Sequence, residues 1–465
     1  MNGFINKTIN KIKNAMSLLV SQNDLETEEG RSREREKRIL WSAATAALAK
    51  VISTAIPLIT VKITLSYLGD ELYGLWATII SFFSLFAFAD LGLGNGLQTE
   101  LSRASGKQNN SEKCRKIVSS AYLMISVVAM LLIMVFVVVF PLVDWSGLMS
   151  AESSTAKAMT STFVMAIFLS KLVGIPVSLV QRTQNALQEG YISNIWSSLG
   201  SVLSLIVVVV FASLDLGRAQ MMWFSSFAVV ITSLLNSLFF YVIKRPDLKP
   251  SIRFIDFKIT KLLLSTGILF FILSIITSVS LSLDNFIVAK VTSLSETTPY
   301  SIAYKVASFI GIISTMLSTP LWAANGEALA RGEYSWVKKQ TVKMTNVSFV
   351  LSFLASVFLV VLSKPVLGWL GSGTQVSYSI LIGMCFQQIL IATANPAFMV
   401  LNASRKIKIQ MLMYGIYSVL SISLKYVLGQ MYGAIAIAWV GPICYLAIIC
   451  PFVAWSARNV LGGKK

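Results

Sequence analysis

The chain has 465 residues, 55% of them hydrophobic and only 13% charged, with a mean hydropathy of +0.71; soluble domains carry about a quarter charged residues, so the composition is that of a membrane protein. Histidine is absent, which removes imidazole acid–base chemistry, imidazole metal ligands and histidine pH sensing together. The cysteines Cys114, Cys385, Cys444 and Cys450 form no CxxC pair, so neither a metal site nor a disulfide framework is indicated.

Residues 1–39 form a charged, amphipathic extension. Ile5, Ile9, Ile12, Met16 and Leu19 recur at helical spacing beside Lys7, Lys11 and Lys13, the pattern of a short helix lying on an anionic leaflet. No continuous apolar stretch marks a signal peptide, and residues 23–38 read as a solvated charge run.

Twelve spans follow, each of about the 20 mostly apolar residues that cross a bilayer core. Six fall near 40–66, 74–97, 117–143, 159–181, 193–214 and 220–243, and six near 262–288, 299–324, 345–363, 377–402, 410–430 and 433–456. The expected architecture is an all-α polytopic protein of two six-helix bundles, 40–243 and 262–456. The basic linker 244–261 joins them and 457–465 forms a tail. Of the 39 Lys and Arg, 30 lie in the tails and alternate loops on one side, four in the opposite loops and five inside spans. This asymmetry puts both termini in the cytoplasm. The positive charge is therefore a topology signal, and nucleic acid is not a partner.

The halves carry repeat-like echoes. Tyr73, an apolar run and Asn95-Gly96 have a counterpart in Tyr300, an apolar run and Asn325-Gly326, each Asn-Gly expected to open a polar loop. Such parallel repeats are common in transporters. The outward loops are short, the longest near 144–158, which leaves little room for the catalytic groups of a membrane glycan polymerase.

Charges inside the spans carry the functional argument. Lys50, Lys62, Asp90, Lys171, Asp284, Lys305 and Lys425 lie within the marked runs, and each costs about 2.5–3.5 kcal/mol at a helix centre on insertion scales. Lys62 and Lys425 lie toward the outer ends, where snorkelling relieves that cost. The others are expected to face a hydrated interior or one another, among hydroxyl-bearing stripes: Ser301, Lys305, Ser308, Thr315 and Thr319 in the eighth span, and Tyr414, Ser418, Ser421 and Lys425 in the eleventh. Lys171 precedes Gly174 and Pro176, where its helix is expected to bend. Five lysines against two aspartates leave a cationic interior, which suits an anionic and above all a phosphorylated solute. No GxxxxGK[ST] motif is present, so no ATP site or other cofactor is encoded. Coupling to a proton or sodium ion would fall to Asp284, with Asp90 as a charge partner.

The stretch YLGDELYGLWATIISFFSLFAFADLGLGNGLQTELSRASGK (67–107) resembles the Wzx-type O-antigen flippases of the multidrug/oligosaccharidyl-lipid/polysaccharide (MOP) exporter superfamily. The matching residues include Tyr73, Gly74, Asp90, Gly92, Gly94, Asn95 and Gly96, then Arg115-Lys116 and Ser119-Ser120-Ala121-Tyr122, with a weaker echo in QNALQEGYISN (184–194). The resemblance implies a V of two six-helix bundles in the bacterial inner membrane. It implies alternating-access transfer of an undecaprenyl-diphosphate-linked oligosaccharide, with no enzymatic step. A polysaccharide polymerase and a chain-length regulator are then the expected protein partners, beside membrane lipids. In that setting Lys50, Lys171 and Lys305, with Lys62 and Lys425 nearer the exit, would compensate the diphosphate. A peptidoglycan-precursor flippase and a drug or cation antiporter of the same superfamily are the rival readings.

Overall fold

The structure, a computed structural model, describes residues 27–84, 90–106, 110–149, 151, 153–292, 294–363 and 377–462. The amphipathic N-terminal stripe falls outside these residues. Among them every regular element is helical. The Cα positions divide the chain into two compact units, Met1–Leu101 with Asn109–Leu264, and Ser102–Gln108 with Ser265–Lys465.

The first unit begins with α1 (Glu28–Leu68), started by the Thr27 hydroxyl accepting a hydrogen bond from the Gly30 amide. Residues 28–38 of the charged run thus open a 41-residue helix. That segment is not wholly solvated, because Arg35 and Ile39 are each 2% exposed. There follow α2 (Asp70–Ser84), α3 (Leu93–Ser105), α4 (Ser111–Val139), the short α5 (Trp145–Leu148) and α6 (Ser154–Val177). Then come α7 (Leu179–Ala186), α8 (Gly190–Ser213) and α9 (Arg218–Leu238). The expected bend after Lys171 is a break: Pro176 lies in the last turn of α6, and Ser178 separates it from α7. Aromatic side chains fill this unit's core, with the Phe136 and Phe168 rings 4.2 Å apart and the Trp145 indole donating to the Phe140 carbonyl.

The second unit holds α10 (Phe257–Ser282, its first turns counted with the first unit), α11 (Asp284–Val291), α12 (Leu294–Arg331), α13 (Tyr334–Val361), α14 (Tyr378–Ala403), α15 (Ile407–Cys444) and α16 (Cys450–Gly462). Helix α14 packs against α12, α13 and α15 and is the centre of the bundle. Its core gathers Tyr300, Ile310, Leu381 and Ile437.

Nine helical runs among the described residues are long and apolar enough to cross a membrane. The last of them, Ile407–Gly462, contains Gly433 at φ 70° and ψ −158°, a left-handed conformation that glycine tolerates without a Cβ clash. That kink falls between the two spans expected at 410–430 and 433–456. The expected span 74–97 falls on α2 and α3, and residues 85–89 between them lie outside the described residues. Val127, Met130, Leu131, Met134, Val135 and Val138 of α4 are exposed. Such a surface is stable in hydrocarbon and unfavourable in water, and the chain is a multi-pass membrane protein.

The linker is tied to the first unit by the Arg-Lys-x-x-Ser-Ser segment of α4. Arg115 Nε donates to the Lys249 carbonyl at 3.0 Å, and its guanidinium lies 4.1 Å from the Phe254 ring centre. Ser119 Oγ accepts from the Ser251 amide and Ser120 Oγ from the Asp256 amide, each at 3.1 Å. Within the linker, the Arg245 guanidinium holds the Asp247 carboxyl below its ordinary pKa. Asp256 Oδ1 then accepts from the Lys258 and Ile259 amides and starts α10. Asp256→Ala is expected to lower stability by about 1 kcal/mol, measurable as a small drop in the melting temperature of the detergent-solubilised protein.

The Asn-Gly pairs do not open loops. Asn95-Gly96 lies inside α3 and Asn325-Gly326 inside α12, with helix continuing to Ser105 and Arg331. Asn-Gly favours turns in isolation, but the flanking helical segments pack these pairs into the bundle, and packing overrides the local preference.

Candidate functional site

A cavity of about 330 Å³ lies within the second unit. It is built from the end of α10, the first residue of α11 and the faces of α12, α14 and α15. At one end Asp284 and Lys425, 141 residues apart, form an ion pair with Nζ 2.5 Å from Oδ1. The Tyr300 hydroxyl donates to the other carboxylate oxygen at 3.1 Å. Asp284 stands in the first turn of α11. Lys425 is 2% exposed, so it does not snorkel as its position in the span suggested. A buried ammonium is tolerated when a well-placed carboxylate meets it, and Asp284 is that partner.

The polar stripes meet close by. Ser280 of α10 hydrogen-bonds Ser418 of α15, and Ser280 and Ser421 are both buried. In α12 the cavity face is Tyr300, Tyr304, Ser308, Gly311, Ile312 and Thr315. That face keeps Ser308 and Thr315 of the stripe read from the sequence but turns toward Tyr300 and Tyr304, and Lys305 is exposed outside the lining. The tyrosines carry the face because their rings bury apolar area while the hydroxyl finds a partner. Opposite them α14 contributes Gln387, Gln388 and Asn395. Sequence reasoning passed over these carboxamides and tyrosines because it followed charge; the i, i+4, i+8 spacing of Tyr300, Tyr304 and Ser308 was the available signal.

Asp90 occupies a second polar centre, in the first unit. It lies half-buried in the turn before α3, where Leu91 and Gly92 take φ of 49° and 69°, and its Oδ1 accepts from the Gly92 amide at 3.0 Å. Its counter-charge is Arg182 of α7, a residue that hydropathy alone places in a loop. A Cβ on Gly94 would stand 3.1 Å from both Asp90 Oδ2 and Arg182 Nε. Gly94 therefore leaves space beside which both the carboxylate and the guanidinium lie.

The other expected positions lie elsewhere. Lys171 of α6 is exposed. Lys50 and Lys62 lie on α1, and their side chains are outside the described set. Tyr73 of α2 meets Trp76 edge to face at 5.5 Å, beside the exposed Gly74. Asn95 is half-buried and Gly96 buried in α3.

The chain is similar to known proteins along most of its length. The model of a family described as "polysaccharide biosynthesis protein" matches residues 39–323, and that of the MatE family matches 270–427. A protein of Yersinia pseudotuberculosis named for O-antigen export is 24% identical over 412 residues, covering 87% of this chain and 91% of the relative. A protein of Salmonella typhi named as an O-antigen transporter is 24% identical over 356 residues, 74% of this chain and 78% of the relative. Among solved structures, a MOP superfamily transporter from Pyrococcus furiosus superposes with a TM-score of 0.77 at 13% identity, covering 93% and 97% of the two chains. A Vibrio cholerae MATE transporter, solved as a point mutant, gives 0.75 at 13%, again over 93% and 97%. At such identities the likeness is one of fold.

Proposed function

The chain belongs to the polysaccharide biosynthesis protein family, and from that membership we propose that it is a flippase for a lipid-linked saccharide precursor. The observation that carries this reading is the near full-length similarity to a protein named for O-antigen export. The surplus of in-span lysines over aspartates supports it, because an anionic headgroup needs compensating cations within the bilayer. The cargo in this reading is an undecaprenyl-diphosphate-linked oligosaccharide. It moves from the cytoplasmic to the periplasmic leaflet of a bacterial inner membrane by alternating access, with both termini cytoplasmic. A polymerase and chain-length regulator would then act on the delivered units.

Lys50, Lys171 and Lys305 are assigned to the diphosphate, with Lys62 nearer the exit. Lys171 and Lys305 are exposed on their bundles, and their ammonium groups are open to an anionic headgroup. Lys425 is held by Asp284. Protonation of Asp284 would release it, which makes this pair the coupling element if the cycle uses a proton. Asp90 plays the structural counterpart with Arg182.

Single replacement of Lys50, Lys171 and Lys305 by alanine is expected to reduce surface glycan about tenfold in cells lacking the native protein, since a hydrogen bond to a charged group contributes about 1.5–3 kcal/mol. Arginine at the same positions should retain more. Glycan at the normal level in all three alanine variants, with normal amounts of protein in the membrane, would overturn the assignment. A strain without the protein should display no repeat units at all; single units at the surface would point to a polymerase.

A further inference from the structure

We propose that the cavity of the second unit is a binding site for one neutral sugar ring of the cargo, separate from the place of the diphosphate; this rests on the flippase reading and deepens it. Size is the first argument. At about 330 Å³ the cavity is at the lower end of the range for small-molecule sites, room for a single ring and not for a polyprenyl chain.

Charge is the second. Among the described residues, the formal charges in the lining are Asp284 and Lys425, and each is spent on the other at 2.5 Å. A diphosphate would find the Lys425 ammonium already neutralised. A metal cation would find an ammonium already on the carboxylate. What is left for a ligand is neutral and polar.

The third argument is the set of unspent groups. Among the described residues neither end of the Gln387 carboxamide meets a hydrogen-bond partner, although both atoms are buried. An unsatisfied buried amide is destabilising, so a ligand that pairs with it is held more tightly. Gln388 is 9% exposed and lies across Gly311, where a Cβ would stand 2.6 Å from its Oε1. Asn395 donates to Ser314 at 2.7 Å, which leaves its carbonyl oxygen as an acceptor. Hydroxyls of a sugar need such donor–acceptor amides, and the rings of Tyr304 and Tyr417 offer apolar faces beside them.

The test is saturation-transfer NMR on the purified full-length chain, probed with methyl glycosides of glucose, galactose, N-acetylglucosamine and N-acetylgalactosamine. At least one glycoside should bind, and Gln387→Leu should weaken it at least tenfold. Ile391→Phe, which fills the cavity, should abolish the signal, with elution profile and melting temperature reporting that each variant is folded. Where Ile391→Phe does not fold, Gln387→Leu decides. Undecaprenyl diphosphate without sugar should not displace the glycoside. Absence of binding by all four glycosides, binding unchanged in Gln387→Leu, or displacement by undecaprenyl diphosphate would each overturn the proposal. Binding of undecaprenyl diphosphate, measured on the same protein, separates the two readings. Its retention without glycoside binding sinks only the sugar site, and its loss with glycoside binding kept sinks the flippase reading.

Discussion

Asp284→Ala is expected to destabilise the protein by about 3–5 kcal/mol, because it leaves the Lys425 ammonium buried with no counter-charge. Lys425 is 2% exposed and its amine lies 2.5 Å from Asp284 Oδ1. Gly441 lies beside it, where a Cβ would stand 3.3 Å from Nζ. Lys425→Met should cost less, since the Asp284 side chain is 19% exposed and keeps its bond from Tyr300. The double variant Asp284→Asn with Lys425→Met removes both charges and retains an acceptor for Tyr300. It should recover most of the loss, as replacing a whole buried ion pair is often close to neutral. Thermal melting of the unaltered protein, Asp284→Asn, Lys425→Met and the double variant in one detergent gives the cycle. A double variant as unstable as Asp284→Ala would show that the pair does not act as a unit. If the double variant is stable but displays no glycan, the pair is retained for transport rather than for folding.

The second large effect is expected at Gly106 and Gly326, which bring the residues following α3 against α12. A Cβ on Gly106 would stand 2.6 Å from the Glu327 carbonyl oxygen and 2.9 Å from its Cα, both backbone atoms that cannot step aside. A Cβ on Gly326 would collide with the Ser102 side chain. At Gly326, inside α12, helix propensity by itself would favour alanine by about 0.5–1 kcal/mol, whereas Gly106 lies just past the end of α3. Overpacking costs about 1–3 kcal/mol, and against backbone the upper end applies, so the clash wins. Gly106→Ala and Gly326→Ala should each lower the melting temperature, and valine more so. Gly415→Ala is the control: nothing lies within 4 Å of its Cβ position, and it should be neutral or slightly stabilising. Equal behaviour of all three would show that close approach does not govern these positions. Small residues at helix crossings are the usual means of close approach in membranes. Gly326 is visible in the sequence as half of an Asn-Gly echo, while its use as a contact surface depends on Ser102.

Much of the architecture was legible because a bilayer admits few solutions. Apolar runs of span length, interrupted by basic loops, leave helices as the natural form for each run. The break near Pro176, the start of α10 close to the linker and the kink at Gly433 all follow from residue types whose backbone behaviour is local. The Asn95-Gly96 and Asn325-Gly326 pairs misled, because turn chemistry is a weak local preference that a packed helix overrides. The charged segment 28–38 misled in the same way, since a single buried Arg35 cannot be read from a run of similar residues.

The candidate site shows where local reading stops. Composition, the absence of histidine and the placement of five lysines and two aspartates within apolar runs were set by the sequence itself, and they bound the chemistry to carboxylates, ammonium groups and neutral hydrogen-bonding side chains. Helical periodicity also told which residues share a stripe. It did not tell how each helix is rotated about its axis. The lining of α12 keeps Ser308 and Thr315 but turns from Lys305 toward Tyr304, less than the ~100° between successive residues, and that turn moves a lysine out of the lining and a tyrosine in. Nor could sequence spacing choose Lys425 as the partner of Asp284, or Arg182 as that of Asp90. Such pairs join segments far apart in the chain, and the packing of whole helices decides which charges are left facing one another when water is excluded.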